Sequence, residues 1–236
     1  AVQKAEEKGA FIVAVTGGGK LADWCEEHGF PAVRIPGDWP SPRACLGYSF
    51  TAQLGVLARL KLIDGAYLQS ISAAAAMLEN EMDVIRGRAE QLAHLIREKT
   101  PVIYATDVME PVAVRFRQQL NENAKMLAWH HIIPEMNHNE LVGWRDQRSD
   151  LVAIFMRTQS DHPRNAVRTE INKEVIGSYA GSIMEIKARG ENRIQQALYL
   201  THLVDWVSWY LADHRGVDAV EVRVIDYLKN ELKKAD

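Results

Sequence analysis

Two short polar segments carry residue types that move protons at neutral pH. Residues 119–125 read Gln-Leu-Asn-Glu-Asn-Ala-Lys and place Glu122 between two amides near the end of a predicted helix. Residues 134–140 read Pro-Glu-Met-Asn-His-Asn-Glu and place His138 between two amides in a predicted loop. A carboxylate and an imidazole on adjacent connections are the usual groups of general acid–base catalysis. The two segments are therefore a candidate acid–base site.

The helical pattern alone leaves the role of Glu122 open. With Phe116 at the centre of the apolar stripe, Glu122 lies off that stripe, on a polar face with Arg115 and Gln119. Periodicity favours a solvated polar face, and a catalytic role requires this face to look into a cleft. His138 is equally ambiguous, because a single loop histidine is usually only exposed.

Three weaker features also have two interpretations each. The glycines at 17–19 follow a predicted strand as a phosphate cradle would, but neither GxGxxG nor a Lys-Ser/Thr pair is present, so a plain strand-to-helix turn explains them equally well. Arg43 stands at a predicted helix start and is either an anion ligand or a surface charge. The C-terminal lysines 229, 233 and 234 fit the negative end of a helix dipole.

The chain offers no plausible set of metal ligands. Adjacent His130 and His131 on a strand point to opposite faces, and neither forms a ligand pair with His138. Cys25 and Cys45 are too few for a disulfide framework and lack metal-ligand spacing, which fits a reducing cytoplasm. We therefore expect no metal and no cofactor.

Length and composition narrow the class of protein. The 236 residues can hold one large domain or two modest ones, and 47% hydrophobic with 25% charged residues is ordinary for a globular protein. A net charge of −3 gives no reason to expect nucleic acid or an anionic membrane as a partner. No apolar run is long enough to span a bilayer, and no signal-peptide pattern is present, so we expect a cytoplasmic protein. The chain lacks an initiator methionine and opens within a structural unit, and we expect upstream sequence to be missing.

Strands and helices alternate along the chain. Predicted strands lie at 11–15, 32–35, 102–105, 129–133, 151–156 and 182–186, and predicted helices at 20–28, 43–62, 66–99, 110–125, 162–175, 191–213 and about 218–234. Such alternation is typical of an α/β protein with parallel sheets. Residues 134–148 are predicted to be a loop. The helix at 191–213 is apolar almost all round, so we expect it to be buried, with His202 and Asp205 as internally paired polar groups rather than ligands.

Five motifs, taken together and in this order, resemble the bifunctional phosphoglucose/phosphomannose isomerases. They are Glu-Pro-Val-Ala-Val-Arg at 110–115, Asn-Glu-Asn-Ala-Lys at 121–125, Pro-Glu-Met-Asn-His-Asn at 134–139, Asp-Trp-Val-Ser-Trp-Tyr-Leu at 205–211 and Val-Ile-Asp-Tyr-Leu-Lys at 224–229. The similarity covers essentially the whole chain. It implies an α/β fold with two sugar-isomerase (SIS) domains, each a doubly wound parallel sheet, joined by a helical connection. Residues 1–64 would be the C-terminal half of a truncated first domain, 65–98 a helical linker and 99–236 the second domain.

The resemblance also implies an activity and a role for each site residue. The expected reaction is aldose–ketose isomerisation of glucose 6-phosphate and fructose 6-phosphate, with mannose 6-phosphate as a further candidate, through an enediol in a homodimer. Glu122 would carry a proton between C1 and C2. His138, contributed by the neighbouring subunit, and Lys229 would act in ring opening. Arg43 would support the charge that develops on the intermediate.

Two departures from the family pattern and two rival interpretations remain. The family's Ser/Thr-rich phosphate-binding loop aligns upstream of Ala1. Val222 stands where some members have a threonine that is associated with accepting both C2 epimers. One rival is a non-catalytic SIS module that binds a phosphosugar and regulates a partner, although a sensor has no need of a base together with a ring-opening pair. The other is an inactive fragment of an active parent enzyme.

Overall fold

The computed structural model describes residues 1–39 and 41–235. The chain divides into two units, Ala1–Ile71 and Ser72–Asp236. None of the helices in the described part of the chain is long and apolar enough to cross a membrane. The boundaries predicted at 64/65 and 98/99 stay a prediction.

The first unit is a short parallel α/β segment. Its elements are α1 (Val2–Glu6), β1 (Ala14–Thr16), α2 (Lys20–Glu27), β2 (Ala32–Arg34), a 3-10 turn at Pro42–Cys45 and α3 (Leu46–Arg59). Strands β1 and β2 pair in parallel, with Ala14 opposite Ala32. The helix predicted over 43–62 begins as the 3-10 turn, where Pro42 is tolerated because the first N–H groups of a helix have no internal partner.

The second unit contains a parallel sheet with helices on both faces. After α4 (Ala66–Asn80), which begins in the first unit, its elements are α5 (Met82–Ile96), β3 (Thr100–Thr106), α6 (Glu110–Glu122), β4 (Trp129–Ile133), α7 (Glu140–Gly143), β5 (Arg148–Arg157), α8 (Pro163–Gly177), β6 (Ala180–Lys187), α9 (Arg193–His214) and α10 (Arg223–Ala235). Within the described residues the strand order is β4-β3-β5-β6, and all the pairings are parallel. The predicted α/β, doubly wound fold is confirmed.

Alternate residues of the central strands enter two different cores. On one face, Ile103 of β3 packs into a cluster with Phe116 of α6 and Leu200 of α9. On the other face, Tyr104 packs with Ile176 of α8. A strand that is covered on both sides is apolar along its whole length, which explains the continuous runs in β3 and β5.

Several boundaries differ from the predicted ones. The helix predicted over 66–99 is two helices, α4 and α5, that meet at Glu81, and the strands predicted at 11–15 and 151–156 are Ala14–Thr16 and Arg148–Arg157.

Three further differences lie near the candidate site. Helix α6 ends at Glu122, and the chain turns at Lys125, whose φ is 54°. The predicted loop at 134–148 contains a 3-10 turn, Glu135–His138, and helix α7, which is capped by Asn139. Helix α10 starts later than predicted because Asp218 accepts a hydrogen bond from the N–H of Val220 and holds a turn there.

Helix α9 is largely but not wholly buried. His202 accepts a hydrogen bond from the Trp206 indole at 3.2 Å, and Asp205 pairs with Arg115, so both polar groups are internally paired as predicted. Trp209, in contrast, is 45% exposed. The helix therefore presents one aromatic side to solvent in this chain.

Candidate active site

Glu122 is the last residue of α6 and lines a cavity of about 430 Å³. One wall of this cavity, hereafter the Glu122 cavity, comes from residues within 121–127, and the other from residues 221–225. Glu122 is half-buried. A catalytic role required the polar face of α6 to look into a cleft, and the end of that face does.

Two residues of the polar face of α6 pack against α9 instead of facing water. Arg115 forms an ion pair with Asp205, with Nη2 and Oδ2 2.6 Å apart. The side-chain amide of Gln119, which is only 5% exposed, donates to the same carboxylate at 3.1 Å. The interpretation of this face as solvated is therefore wrong for Arg115 and Gln119, whereas Gln118 on the same face is exposed. Periodicity could not reveal a buried polar contact because it classifies residues only by hydropathy.

The two asparagines beside Glu122 bind protein groups. Asn121 donates from its side chain to the backbone carbonyl of Met126 at 2.6 Å, which stabilises the turn after α6. Asn123 donates to the hydroxyl of Ser208 on α9 at 2.9 Å. Their contacts fix the end of the helix, and with it the backbone that carries Glu122.

His138 stands at the exposed tip of the connection after β4. Met136, two residues earlier, is fully buried, and the side-chain amide of Asn137 donates to Asn172 of α8 at 2.5 Å. Asn139 caps α7 by accepting from the N–H of Glu140 at 2.6 Å. His138 itself is exposed. The segment thus has a fixed base and an accessible imidazole.

A partly buried set of hydrogen bonds around Glu140 anchors this connection to the sheet. Glu140 accepts from the hydroxyl of Tyr104 and lies 2.7 Å from Nδ1 of His131. The Tyr104 oxygen in turn accepts from the indole N–H of Trp144 at 3.0 Å. Burial, reinforced by the Glu140 carboxylate, raises the pKa of Tyr104 well above its ordinary value, so its hydroxyl stays a donor.

Within one chain, Glu122 and His138 lie near opposite ends of strand β4. Strands β3 and β4 are parallel, so the connecting α6 must run back in the opposite direction. Glu122, at the end of α6, is therefore near the start of β4, whereas His138 follows the end of β4. The two ends of β4 are roughly 15 Å apart, because the strand has five residues at about 3.3 Å each.

Lys229 lies on α10, the helix that follows one wall of the Glu122 cavity. All of the residues of α10 from Arg223 to Ala235 are exposed. Lys229 comes four residues after Ile225, which lines the cavity, and residues four apart share one helix face. Lys229 thus lies one helical turn beyond the cavity wall and does not itself line the cavity.

Arg43 belongs to the first unit, where it is half-buried in the 3-10 turn after β2. The neighbouring glycines close that unit's own turn. A Cβ on Gly17 would lie 2.9 Å from the Cα of Gly37, and the N–H of Gly18 donates to the Thr16 hydroxyl at 3.1 Å. These contacts favour a strand-to-helix turn, the plainer of the two interpretations of residues 17–19.

The histidines of β4 face opposite sides of the strand. His131 contacts Glu140, whereas His130 is influenced by Arg117 and Glu110 of α6. Burial, followed by the charge of Arg117, lowers the pKa of His130 below its ordinary value. Among the residues that the structure describes, no group of three or more His, Cys, Asp or Glu side chains could hold a metal ion.

Sequence reasoning missed two residues inside the very motifs it selected. Lys125 binds both walls of the Glu122 cavity, and Glu140 anchors the segment that carries His138. A polar residue beside a candidate site is a weak signal. Several of the groups that meet these two side chains come from residues distant in sequence, and only the fold brings them together.

Comparison with known proteins agrees with this fold and identifies the family. The profile described as "Bacterial phospho-glucose isomerase C-terminal SIS domain" matches residues 85–232. A bifunctional phosphoglucose/phosphomannose isomerase from Caldicellulosiruptor bescii is 34% identical over 98% of this chain and 71% of its own length. The corresponding protein from Aquifex aeolicus is 31% identical over the same shares.

A solved structure gives the same class of fold. It is that of a glucose-6-phosphate isomerase like protein from Thermus thermophilus, with a TM-score of 0.58 and 22% identity over 88% of this chain and 73% of that one. The chain is thus an α/β protein with the SIS fold. It belongs to the family of bifunctional phosphoglucose/phosphomannose isomerases, as its five motifs indicated.

Proposed function

We propose that this chain isomerises hexose 6-phosphates, interconverting glucose 6-phosphate and fructose 6-phosphate through an enediol. Membership of the family supports the reaction class. The observation that carries the proposal is the half-buried Glu122 carboxylate in its cavity. A carboxylate in a partly enclosed site can both take and return a proton, as this isomerisation requires.

In the proposed mechanism Glu122 removes the proton from C2 of the open-chain aldose phosphate, the electrons form the C1–C2 double bond, and the C1 carbonyl oxygen becomes an enediolate oxygen. A proton then passes from the C2 hydroxyl to the C1 oxygen, and Glu122 returns its proton to C1 as the C2 carbonyl forms. The charge that builds on these oxygens requires a fixed cation, the role that the family resemblance alone assigns to Arg43. Lys229 and His138 are assigned to opening the sugar ring.

The separation of Glu122 and His138 along β4 supports a shared site in a homodimer. Catalytic groups must come within about 3 Å of the atoms they serve. In one chain Glu122 precedes β4 and His138 follows it, and the five residues of β4 span roughly 15 Å. This spacing favours a site built from two chains over a site within one. A second copy would supply His138 from its exposed tip.

Replacing Glu122 with glutamine tests the assignment of the base. Glutamine keeps the size of the side chain but cannot accept the proton, and loss of a general base costs on the order of 10²–10⁴-fold in rate. The measurement is a coupled assay of fructose 6-phosphate conversion, with thermal unfolding and phosphosugar binding followed in parallel. We expect the fold and the binding to survive.

The matched control is Glu110→Gln, which removes an exposed carboxylate from the other end of the same helix. It should leave turnover unchanged. If Glu122→Gln keeps more than about a tenth of the turnover, Glu122 is not the base. If the unaltered chain binds phosphosugars without converting them, the non-catalytic SIS module and the inactive fragment become the better interpretations, and the same assay with the upstream sequence restored distinguishes them.

A further inference from the structure

Lys125 adopts a backbone conformation that favours glycine. Its φ is 54°, in the left-handed region, three residues after the end of α6. Glycine is the usual residue where a chain turns away from a helix end in this conformation, because a Cβ is disfavoured there. A lysine there carries a steric cost that glycine would avoid, so the contacts that its side chain makes in return are informative.

The side chain of Lys125 bridges two backbone carbonyls. Its ammonium donates to the carbonyl of Glu122 at 2.5 Å and to that of Glu221 at 2.6 Å. The first carbonyl lies at the C-terminal end of α6, where the helix dipole attracts a positive charge. Hydrogen bonds from a charged donor are stronger than those between neutral groups.

The two carbonyls belong to the two opposite walls of the Glu122 cavity. Glu122 and Lys125 are part of the wall after α6, and Glu221 begins the wall that continues through Val222 into α10. Lys229 lies further along that helix. One ammonium group therefore joins the segment of the base to the segment that carries Lys229.

We propose that Lys125 is a positioning residue that sets the spacing between Glu122 and α10, and so between Glu122 and Lys229. This inference rests on the proposed function, in which both groups act on one sugar. Displacement of a catalytic group by about 1 Å can cost up to 10²-fold in rate. A flexible second wall would therefore lower turnover even with all the reacting groups present.

Lys125→Gly separates positioning from stability. Glycine adopts the left-handed backbone without steric cost, which offsets the loss of the two hydrogen bonds. We expect a Tm within about 4 °C of that of the parent chain. We expect kcat to fall roughly tenfold or more while KM changes by less than about twofold. Lys125→Arg, which keeps a cationic donor, should lose less activity than Lys125→Gly.

The chain contains a matched control for the backbone change. Lys61 also has a left-handed backbone, with φ of 58°, at an exposed position after α3. Lys61→Gly should leave kcat unchanged. If Lys125→Gly behaves like Lys61→Gly while Glu122→Gln is inactive, the positioning role is refuted. A loss of activity that merely follows the fraction of unfolded protein would refute it as well.

Hydrogen exchange gives a readout that does not depend on activity. In Lys125→Gly the amides at the start of α10, residues 223–228, should exchange faster than in the parent chain, because their connection to α6 is lost. In Lys61→Gly they should not change. Unchanged exchange in Lys125→Gly would overturn the inference even if Glu122 were not the base. Activity in Glu122→Gln would instead refute the proposed function.

Discussion

The two polar motifs of this chain are built in opposite ways. The Glu122 motif closes on itself, because Asn121 and Lys125 bind backbone carbonyls around a half-buried carboxylate. The His138 motif is attached to the sheet through Glu140, which binds Tyr104, and its imidazole is exposed. The difference suits a base that works inside its own cavity and a histidine that works outside its own chain.

The contrast between the two motifs is tested by replacing Glu122 and His138 in separate chains and then mixing the two variants. His138→Ala should lower turnover strongly, on the order of 10²-fold, as expected for a lost acid–base group. Mixed with Glu122→Gln under exchange conditions, it should regain activity, because each heterodimer then contains one site with both groups intact. The measurement is turnover of the mixture, with mass analysis of the dimers.

Chain exchange is the control for this experiment. If heterodimers form and yet remain inactive, the two groups do not meet across a dimer. Activity in an isolated monomer of the parent chain would also contradict the shared site, because one chain holds the two groups near opposite ends of β4.

A smaller loss of turnover is expected when the hydrogen bonds that Glu140 makes beneath the His138 segment are weakened. Glu140→Gln turns an acceptor of two hydrogen bonds into a group with one oxygen and one amide donor, so Tyr104 and His131 can no longer both donate to it. We expect kcat to fall about tenfold through misplacement of His138. Glu135→Gln alters an exposed carboxylate of the same segment and should have little effect.

A double variant tells positioning from general damage. If Glu140 acts only through His138, adding Glu140→Gln to His138→Ala should cause no further loss of kcat/KM. Two independent losses that multiply would show that Glu140 supports the fold or another group instead.

Much of the fold was predictable from the sequence because the strands of the second unit are apolar runs between turns. Residues 129–133 were predicted with the correct ends. The boundaries that were wrong depend on single side-chain contacts, such as the turn that Asp218 holds before α10. Hydropathy carries no information about contacts of this kind.

The candidate site was predictable in its motifs and not in its geometry. The motif at 121–125 identified Glu122, but periodicity assigned its helix face to solvent. Asp205, 83 positions after Glu122, binds Arg115 and Gln119 and so covers their part of that face. The roles of Glu122, His138, Lys229 and Arg43 stay predictions until the variants are measured.

The smallest expected effect concerns the second wall of the Glu122 cavity, to which the half-buried Val222 belongs. Threonine has nearly the same shape and adds a hydroxyl that can hydrogen-bond the open-chain intermediate, a bond worth about 0.5–1.5 kcal/mol. Such a bond would help the intermediate present either face of C2, and about 1.4 kcal/mol corresponds to tenfold in rate. Val222→Thr should therefore raise the ratio of kcat/KM for mannose 6-phosphate to that for glucose 6-phosphate several-fold. Val220→Thr makes the same exchange at an exposed position and should leave the ratio unchanged. A ratio that stays constant or falls in Val222→Thr would place the choice of epimer elsewhere in the site.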